Sequence, residues 1–149
     1  NGREAIELVD EVESVLKIAC APITWPIGMG REFKGVYHLP EDRIYIYQPG
    51  ARGTRGETET IDGLHNDEAK SLLGYDWQAY IDEIELVRGA TNDFDAKAYL
   101  AGSLSPVFFG SALTNFGVQE LLDTFVEYAP APQPRELRAH PLRAAWPRP

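Results

Sequence analysis

The segment from residue 105 to residue 130 constrains the fold most, because an apolar run, a glycine turn and an amphipathic helical pattern follow one another there. Val107, Phe108 and Phe109 form the apolar run, which predicts a strand buried on both faces. Pro106 suits the beginning of such a strand and not its middle. Gly110 ends the run, so we expect the chain to turn at this point.

An amphipathic helix is predicted after this turn. Its apolar positions recur at helical spacing: Val118, Leu121, Leu122 and Phe125. Thr114 or Asn115 is the expected N-cap, and Pro130 closes the helix. Strand, loop and helix in this order are half of an α/β unit, and ligands of such sheets bind at loops that leave the carboxyl ends of strands. The loop of residues 110–113 is therefore the first candidate site.

The composition is that of a folded chain, since 44% of the 149 residues are hydrophobic and 11% are aromatic. No apolar run is as long as a membrane span, and the first residues lack the pattern of a secretory signal. We therefore expect a cytoplasmic protein with no membrane partner. The lone Cys20 cannot form an internal disulfide and is expected to be a small buried residue.

Charge is distributed unevenly along the chain. The formal net charge is −9, to which residues 1–134 contribute −12 and residues 135–149 contribute +3. Residues 1–134 carry so many acidic side chains that they would repel a phosphate backbone. This argues against sequence-specific DNA binding. The last fifteen residues are rich in proline and arginine, and we expect them to be a disordered tail outside the folded body.

The amino-terminal part predicts a helix followed by a β-hairpin. From Arg3 onward one helical face is apolar: Ala5, Val9, Val12 and Leu16. Residues 33–39 and 43–48 alternate in the manner of paired strands joined by a turn. Tyr45 and Tyr47 share one face of the second strand, which we expect to pack on a neighbouring surface and not to stack on nucleotide bases.

The middle of the chain predicts one more strand and a long helix. Residues 58–64 are the candidate strand. Asn66 is the expected N-cap of a single helix that continues to about Val87, with Gly74 weakening its middle. Core packing accounts for the apolar stripe of this helix, so no cofactor site is assigned to it.

Three further patterns are weaker candidates for sites. Residues 28–30 read Gly-Met-Gly but lack the third glycine and the following helix of a phosphate-binding turn, which favours a simple turn. Arg52 and Arg55 could contact a phosphate or ribosomal RNA, although a solvated loop tip is favoured. The histidines are far apart and lack metal-ligand spacing, so no metal ligand is assigned: His38, His65 and His140.

Several segments of the chain carry a resemblance to a known family. GSAL at residues 110–113, after a buried strand, looks like the last guanine-recognition loop of translational GTPases. The longer segment of residues 110–123 resembles the elongation factor G group; its sequence is GSALTNFGVQELLD. The stretches at residues 20–39, 85–102 and 126–135 resemble the bacterial peptide chain release factor 3 family more narrowly, and the match runs over residues 1–134.

This resemblance implies a GTP-binding protein that acts on the ribosome in translation termination and promotes departure of class I release factors. In the family's fold, the backbone N–H at the position of Ala112 would face the guanine O6. Ser111 would brace the loop, and Leu113 would help to cover the base. An amide donor suits O6, whereas adenine presents its own donor there, so the wrong base would leave the amide unsatisfied.

The sequence also departs from the family's pattern. It has no phosphate loop, no threonine for magnesium, no Asp-x-x-Gly and no Asn-Lys-x-Asp, all of which precede the position of Asn1 in the family. The resemblance therefore implies the later part of a P-loop GTPase domain, an α/β fold. Residues 1–20 would be a helix of that domain, residues 21–102 an inserted α+β subdomain, and residues 103–134 its last strand, guanine loop and helix.

These departures bear on the predicted chemistry. No catalytic residue and no magnesium ligand is assigned, and GTP hydrolysis by these residues alone is not expected. Two alternatives stay open. One is a non-catalytic protein-interaction module, and the other is a fragment of an elongation factor G-like ribosomal GTPase, which the Trp25-Pro26 stretch disfavours.

Overall fold

The fold was obtained as a computed structural model, which describes residues 4–28, 30, 33–47, 58–111 and 116–131. The helices in chain order are α1 (Ala5–Leu16), α2 (Asp67–Leu73), α3 (Trp77–Ala90), α4 (Ala96–Leu100) and α5 (Val118–Tyr128). The strands are β1 (Ala19–Pro22), β2 (Thr24–Ile27), β3 (Gly35–His38), β4 (Arg43–Tyr47), β5 (Thr58–Asp62) and β6 (Leu104–Val107).

Two sheets organise these elements into a mixed α/β structure. β1 and β6 form a parallel pair with Cys20 opposite Ser105. The other four strands form an antiparallel sheet in the order β2-β3-β4-β5. The chain thus enters the antiparallel sheet directly from β1, and it returns through α2, α3 and α4 to pair β6 with β1. The predicted α/β class is confirmed at this level, while the three-part division of the chain stays a prediction.

The strand predicted before the glycine turn differs from expectation. β6 begins at Leu104 and ends at Val107, so Phe108 and Phe109 follow the strand, and all three predicted residues are only half-buried. Pro106 lies inside β6 and not at its start. Among the described strands β6 pairs with β1 alone, and a strand with one open edge has room for a residue that lacks an N–H donor.

The hairpin prediction is confirmed by β3 and β4. Their register places Val36 opposite Tyr45 and Tyr37 opposite Ile44. The turn between them carries Asp42 with a φ of 50°, and Asp42 also accepts a hydrogen bond from the hydroxyl of Tyr37 at 2.7 Å. β5 confirms the strand predicted after residue 58 and pairs with β4.

The single long helix predicted after Asn66 is wrong. Asn66 does cap a helix, since its Oδ1 accepts a hydrogen bond from the backbone N–H of Ala69 at 2.7 Å. This helix is α2, however, and it ends at Leu73. Gly74 takes a left-handed φ of 60° and begins a 3-10 turn through Asp76, after which α3 starts at Trp77. A left-handed φ cannot continue an α-helix, so the glycine divides the predicted helix in two.

The core lies between α3 and the antiparallel sheet. The α3 stripe Tyr80, Ile81, Ile84 and Val87 is buried against the fully buried Trp25 and Ile44 of the sheet. The indole N–H of Trp25 donates to Glu83 Oε1 at 2.7 Å, which satisfies its polar atom. Core packing of this helical stripe is thereby confirmed.

The two terminal helices bury less than their patterns predict. On α1, Ala5 and Val9 are buried, but Val12 and Leu16 are exposed. On α5 the apolar stripe is exposed, with 46% of Leu121, 52% of Leu122 and 60% of Phe125 accessible. Periodicity identified both helices, but it cannot say whether a neighbouring surface covers their apolar faces.

α5 also begins later than predicted. Gly117, with a φ of 68°, is its N-cap, so neither Thr114 nor Asn115 occupies that position, and both lie outside the described residues. The predicted tail of residues 135–149 also lies outside them. Within the described ranges, no helix combines the length and the apolar character that crossing a bilayer requires.

Candidate functional site

The candidate loop leaves the carboxyl end of β6, as the sequence predicts. The two ends of this loop, which we call its rims, come together at Ser111 and Phe116. There the backbone N–H of Ser111 donates to the carbonyl oxygen of Phe116 at 3.0 Å. Ser111 is half-buried at this closure. Ala112 and Leu113 lie outside the described residues, so their predicted contacts with a guanine base stay predictions.

Two glycines allow this closure. A Cβ on Gly117 would lie 2.5 Å from the carbonyl oxygen of Phe109, and one on Gly110 would lie 2.8 Å from that of Phe116. Both clashing atoms belong to the backbone and cannot rotate away. The base of the loop is therefore a tight backbone crossing that only glycine fits at these two positions.

A buried threonine ties this base to the antiparallel sheet. Thr24 is 0% exposed, and its Oγ1 accepts a hydrogen bond from the backbone N–H of Phe109 at 2.9 Å. The ring of Phe109 also meets the ring of Trp25 edge to face, with centroids 5.2 Å apart. Sequence reasoning did not select Thr24, because nothing local in the sequence links it to a residue so far along the chain.

Aromatic side chains support the other rim of the loop. Phe116 stacks on Phe33, with ring centroids 3.9 Å apart, and lies 5.5 Å from Tyr47. The hydroxyl of Tyr47 donates to Glu120 Oε1 of α5 at 2.8 Å. Burial and then this hydrogen bond raise the pKa of the Tyr47 phenol far above its ordinary value, so it stays a donor. The prediction that the tyrosine face of β4 packs on a neighbour is confirmed for Tyr47.

A groove of about 1140 Å³ lies between the antiparallel sheet and α5. We call it the sheet–helix groove. It is lined on the sheet side by His38, Tyr45, Tyr47 and Thr60, on the α5 side by Glu120, Asp123 and Glu127, and at its end by Asp93 and Phe94. Sequence reasoning did not find this groove, because it is formed by elements that are distant in sequence.

His38 is a partly buried titratable group in the groove. Its side chain is only 12% exposed, and its Nδ1 lies 3.9 Å from Glu41 Oε2. Burial lowers the pKa of His38 below its ordinary value, and Arg43 acts in the same direction. The carboxylates of Glu41 and Glu120 raise this pKa and oppose the shift. The imidazole is thus neutral near pH 7.

No group of three or more histidine, cysteine, aspartate or glutamate residues in the described ranges is placed to hold a metal ion. Cys20 is fully buried in β1, and burial followed by the nearby Glu13 raises the pKa of its thiol. A raised thiol pKa lowers the thiolate fraction, and the thiolate is the reactive form. The expectation of a small buried residue is confirmed.

Comparison with known proteins supports the fold and goes no further. No family model matches the sequence. The crystal structure of a protein designated ttk003000868 from Thermus thermophilus is similar with a TM-score of 0.55 and 19% sequence identity. The similarity covers 87% of this chain and 21% of that protein, so the chain spans about a fifth of its structural relative. What the two proteins share is a mixed α/β fold.

Proposed function

We propose that the chain is the later part of the guanine-nucleotide domain of a ribosome-associated GTPase of the release factor 3 type. In this proposal Ser111, Ala112 and Leu113 form one wall of a guanine pocket. The observation that carries the proposal is the place of the GSAL sequence. It leaves the carboxyl end of a parallel strand, on a loop whose rims join at Ser111 and Phe116.

The contacts at the base of the loop suit a pocket wall that recognises a base through a backbone amide. A single amide can discriminate guanine from adenine only if its position is held, since a mobile amide would turn to find another partner. The Thr24 hydrogen bond and the Phe33–Phe116 stack hold the two rims at the base of this loop.

The phosphate and hydrolysis steps would belong to residues that this sequence lacks. A phosphate loop, its lysine and magnesium supply most of the affinity and transition-state stabilisation in such enzymes. Release of class I release factors from the ribosome would likewise be an activity of the longer protein. In this proposal magnesium and GTP are therefore bound by the whole protein.

The exposed face of α5 favours a second candidate, a protein-interaction module. Leu121, Leu122 and Phe125 present apolar surface that the described residues cover only in part. In this alternative the Ser111 loop is purely structural. Guanine binding by the longer protein distinguishes the two candidates, because an interaction module would not require it.

The test uses the protein encoded by the whole reading frame around this chain. Its affinity is measured for GDP and for the diphosphate of 2-aminopurine riboside, a guanine analogue without O6. Ala112→Pro removes the amide N–H, and Ala112→Ser keeps it.

We expect the wild type and Ala112→Ser to prefer GDP by roughly ten-fold or more, the usual effect of one buried polar group left unpaired. The preference should collapse in Ala112→Pro while binding of the O6-free analogue changes little. Equal preference in all three proteins would contradict the proposed role of Ala112.

A further inference from the structure

The sheet–helix groove holds aromatic and acidic side chains that the guanine-loop proposal does not use. Tyr45 and Tyr47 stand on one face of β4 and line it, and Phe94 and Tyr128 line it as well. The rings of Phe94 and Tyr128 meet edge to face with centroids 5.0 Å apart. The groove therefore has aromatic surface on both the sheet side and the α5 side.

The charge of the groove is strongly negative. Its carboxylates come from several different segments: Glu41, Asp93, Glu120, Asp123 and Glu127. Among the described residues, the cation that lines it is Arg88, whose guanidinium is already engaged. It donates to the carbonyl oxygen of Leu39 at 2.7 Å and to the hydroxyl of Tyr37 at 3.1 Å. Glu120 is half-buried, whereas the other four carboxylates are exposed at the edge of the groove. Carboxylates beside aromatic rings are a setting that suits an organic cation.

Two buried polar atoms on the groove's walls have no hydrogen-bond partner in the described structure. One is Oε2 of Glu120, whose other oxygen accepts the Tyr47 hydroxyl, and the other is Nδ1 of His38. Each is covered by neighbouring side chains and belongs to a residue that lines the groove. Leaving a buried carboxylate oxygen without a donor is costly, so an incoming donor that small side-chain movements admit would be favoured.

We propose that the sheet–helix groove binds a guanidinium group, presented by an arginine side chain of a peptide or protein partner. A guanidinium carries five N–H donors in a plane and can stack on Tyr45 or Tyr47 while it donates to Glu120 and Asp123. An ammonium ion has no plane to stack and is more strongly hydrated. A nucleic acid is disfavoured, because its phosphates would meet the carboxylates.

This inference rests on other residues than the guanine-loop proposal does, since the groove is lined by side chains of the antiparallel sheet and of α5. Its test titrates the full 149-residue chain with N-acetyl-arginine amide at a concentration at which sedimentation velocity shows a monomer, followed by NMR of the backbone amides. N-acetyl-citrulline amide is the matched neutral probe, with nearly the same shape and no charge. N-acetyl-lysine amide carries the same charge without the plane.

The expected result is saturable binding of the arginine probe, with shifts centred on β4 and α5. The citrulline and lysine probes should bind at least roughly ten-fold and three-fold more weakly, respectively, because they lack the charge or the stacking plane. Equal binding of the citrulline probe, or no saturable binding of the arginine probe, would overturn the proposal. Binding of a short RNA in place of the arginine probe would overturn it as well.

Variants locate the site. Glu120→Gln should weaken the arginine probe roughly ten-fold, since it removes the charge and keeps the shape. The matched control is Glu7→Gln, the same change on the exposed side of α1, which should bind like wild type. If circular dichroism shows that Glu120→Gln does not fold, Asp123→Asn on the exposed rim takes its place, with a loss of roughly three-fold. Wild-type affinity in the folded variant would contradict the site.

Discussion

The hydroxyl of Thr24 accepts a hydrogen bond from the backbone N–H of Phe109 at 2.9 Å, joining two residues 85 positions apart in sequence. One partner begins the antiparallel sheet, and the other lies just before the candidate loop. This bond therefore couples the stability of the sheet to the position of the loop.

Replacing Thr24 by valine should lower the free energy of unfolding by about 1–3 kcal/mol, because a part-buried amide loses its acceptor while the side-chain volume is kept. Thr24→Ser keeps the hydroxyl and should lose less, although it removes a buried methyl group. Urea unfolding followed by circular dichroism measures both. If the Thr24→Val variant had the same free energy of unfolding as the wild type, this hydrogen bond would not anchor the loop.

Gly117 and Gly89 should respond to alanine with opposite signs. Gly117 has a φ of 68°, and its added Cβ would lie 2.5 Å from a backbone oxygen, so Gly117→Ala should destabilise by about 1–3 kcal/mol. Gly89 lies in α3 with open space around its Cβ position.

Gly89→Ala should therefore stabilise by about 0.5–1 kcal/mol, because alanine is the better helix former. Thermal melts of both variants give the comparison. Stabilisation by Gly117→Ala would contradict a tight backbone crossing at the base of the loop.

His38 should make stability fall on acidification. The pKa of His38 is lowered in the folded chain, chiefly by burial and against the carboxylates of Glu41 and Glu120. The unfolded chain thus binds a proton more readily, and stability declines as the pH falls from the unfolded pKa of about 6.5 towards the folded value.

The comparison is with His38→Gln, which cannot be protonated. As the pH falls from about 8 to about 5.5, the free energy of unfolding should decrease more for the wild type than for this variant. A difference independent of pH in this window would mean that the burial of His38 does not oppose its protonation.

The spacing of apolar and polar residues predicts those helices and strands whose structure depends on the local sequence alone. The alternation that places Ile44 and Tyr45 on opposite faces identified the hairpin, and the side chain of Asn66 identified the start of α2. It did not reveal that Gly74 divides a helix, because a glycine within an apolar stripe is compatible with both a weakened helix and a left-handed break.

Contacts between distant segments escaped prediction for a different reason. The candidate loop followed from its place after a strand, but the Thr24 anchor and the sheet–helix groove depend on which elements meet. An amphipathic pattern such as that of α5 shows that a face is apolar, and it does not identify the surface that covers it.

The exposed face of α5 predicts that the isolated chain self-associates or is only marginally stable. Phe125 is 60% exposed and Val126 is 81% exposed, so replacing both with glutamine should reduce association without lowering stability. Sedimentation velocity measures the association, and thermal melting measures the stability. A wild-type chain that is monomeric at high concentration and melts cooperatively would contradict this prediction.

Sequencing the coding DNA upstream of the Asn1 codon tests the proposal that this chain belongs to the guanine-nucleotide domain of a larger GTPase. We expect an open frame that encodes Asn-Lys-x-Asp within a few residues of Asn1 and a Gly-x-x-x-x-Gly-Lys-Ser/Thr phosphate loop farther upstream. A start codon immediately before Asn1, or an upstream frame without these motifs, would contradict it.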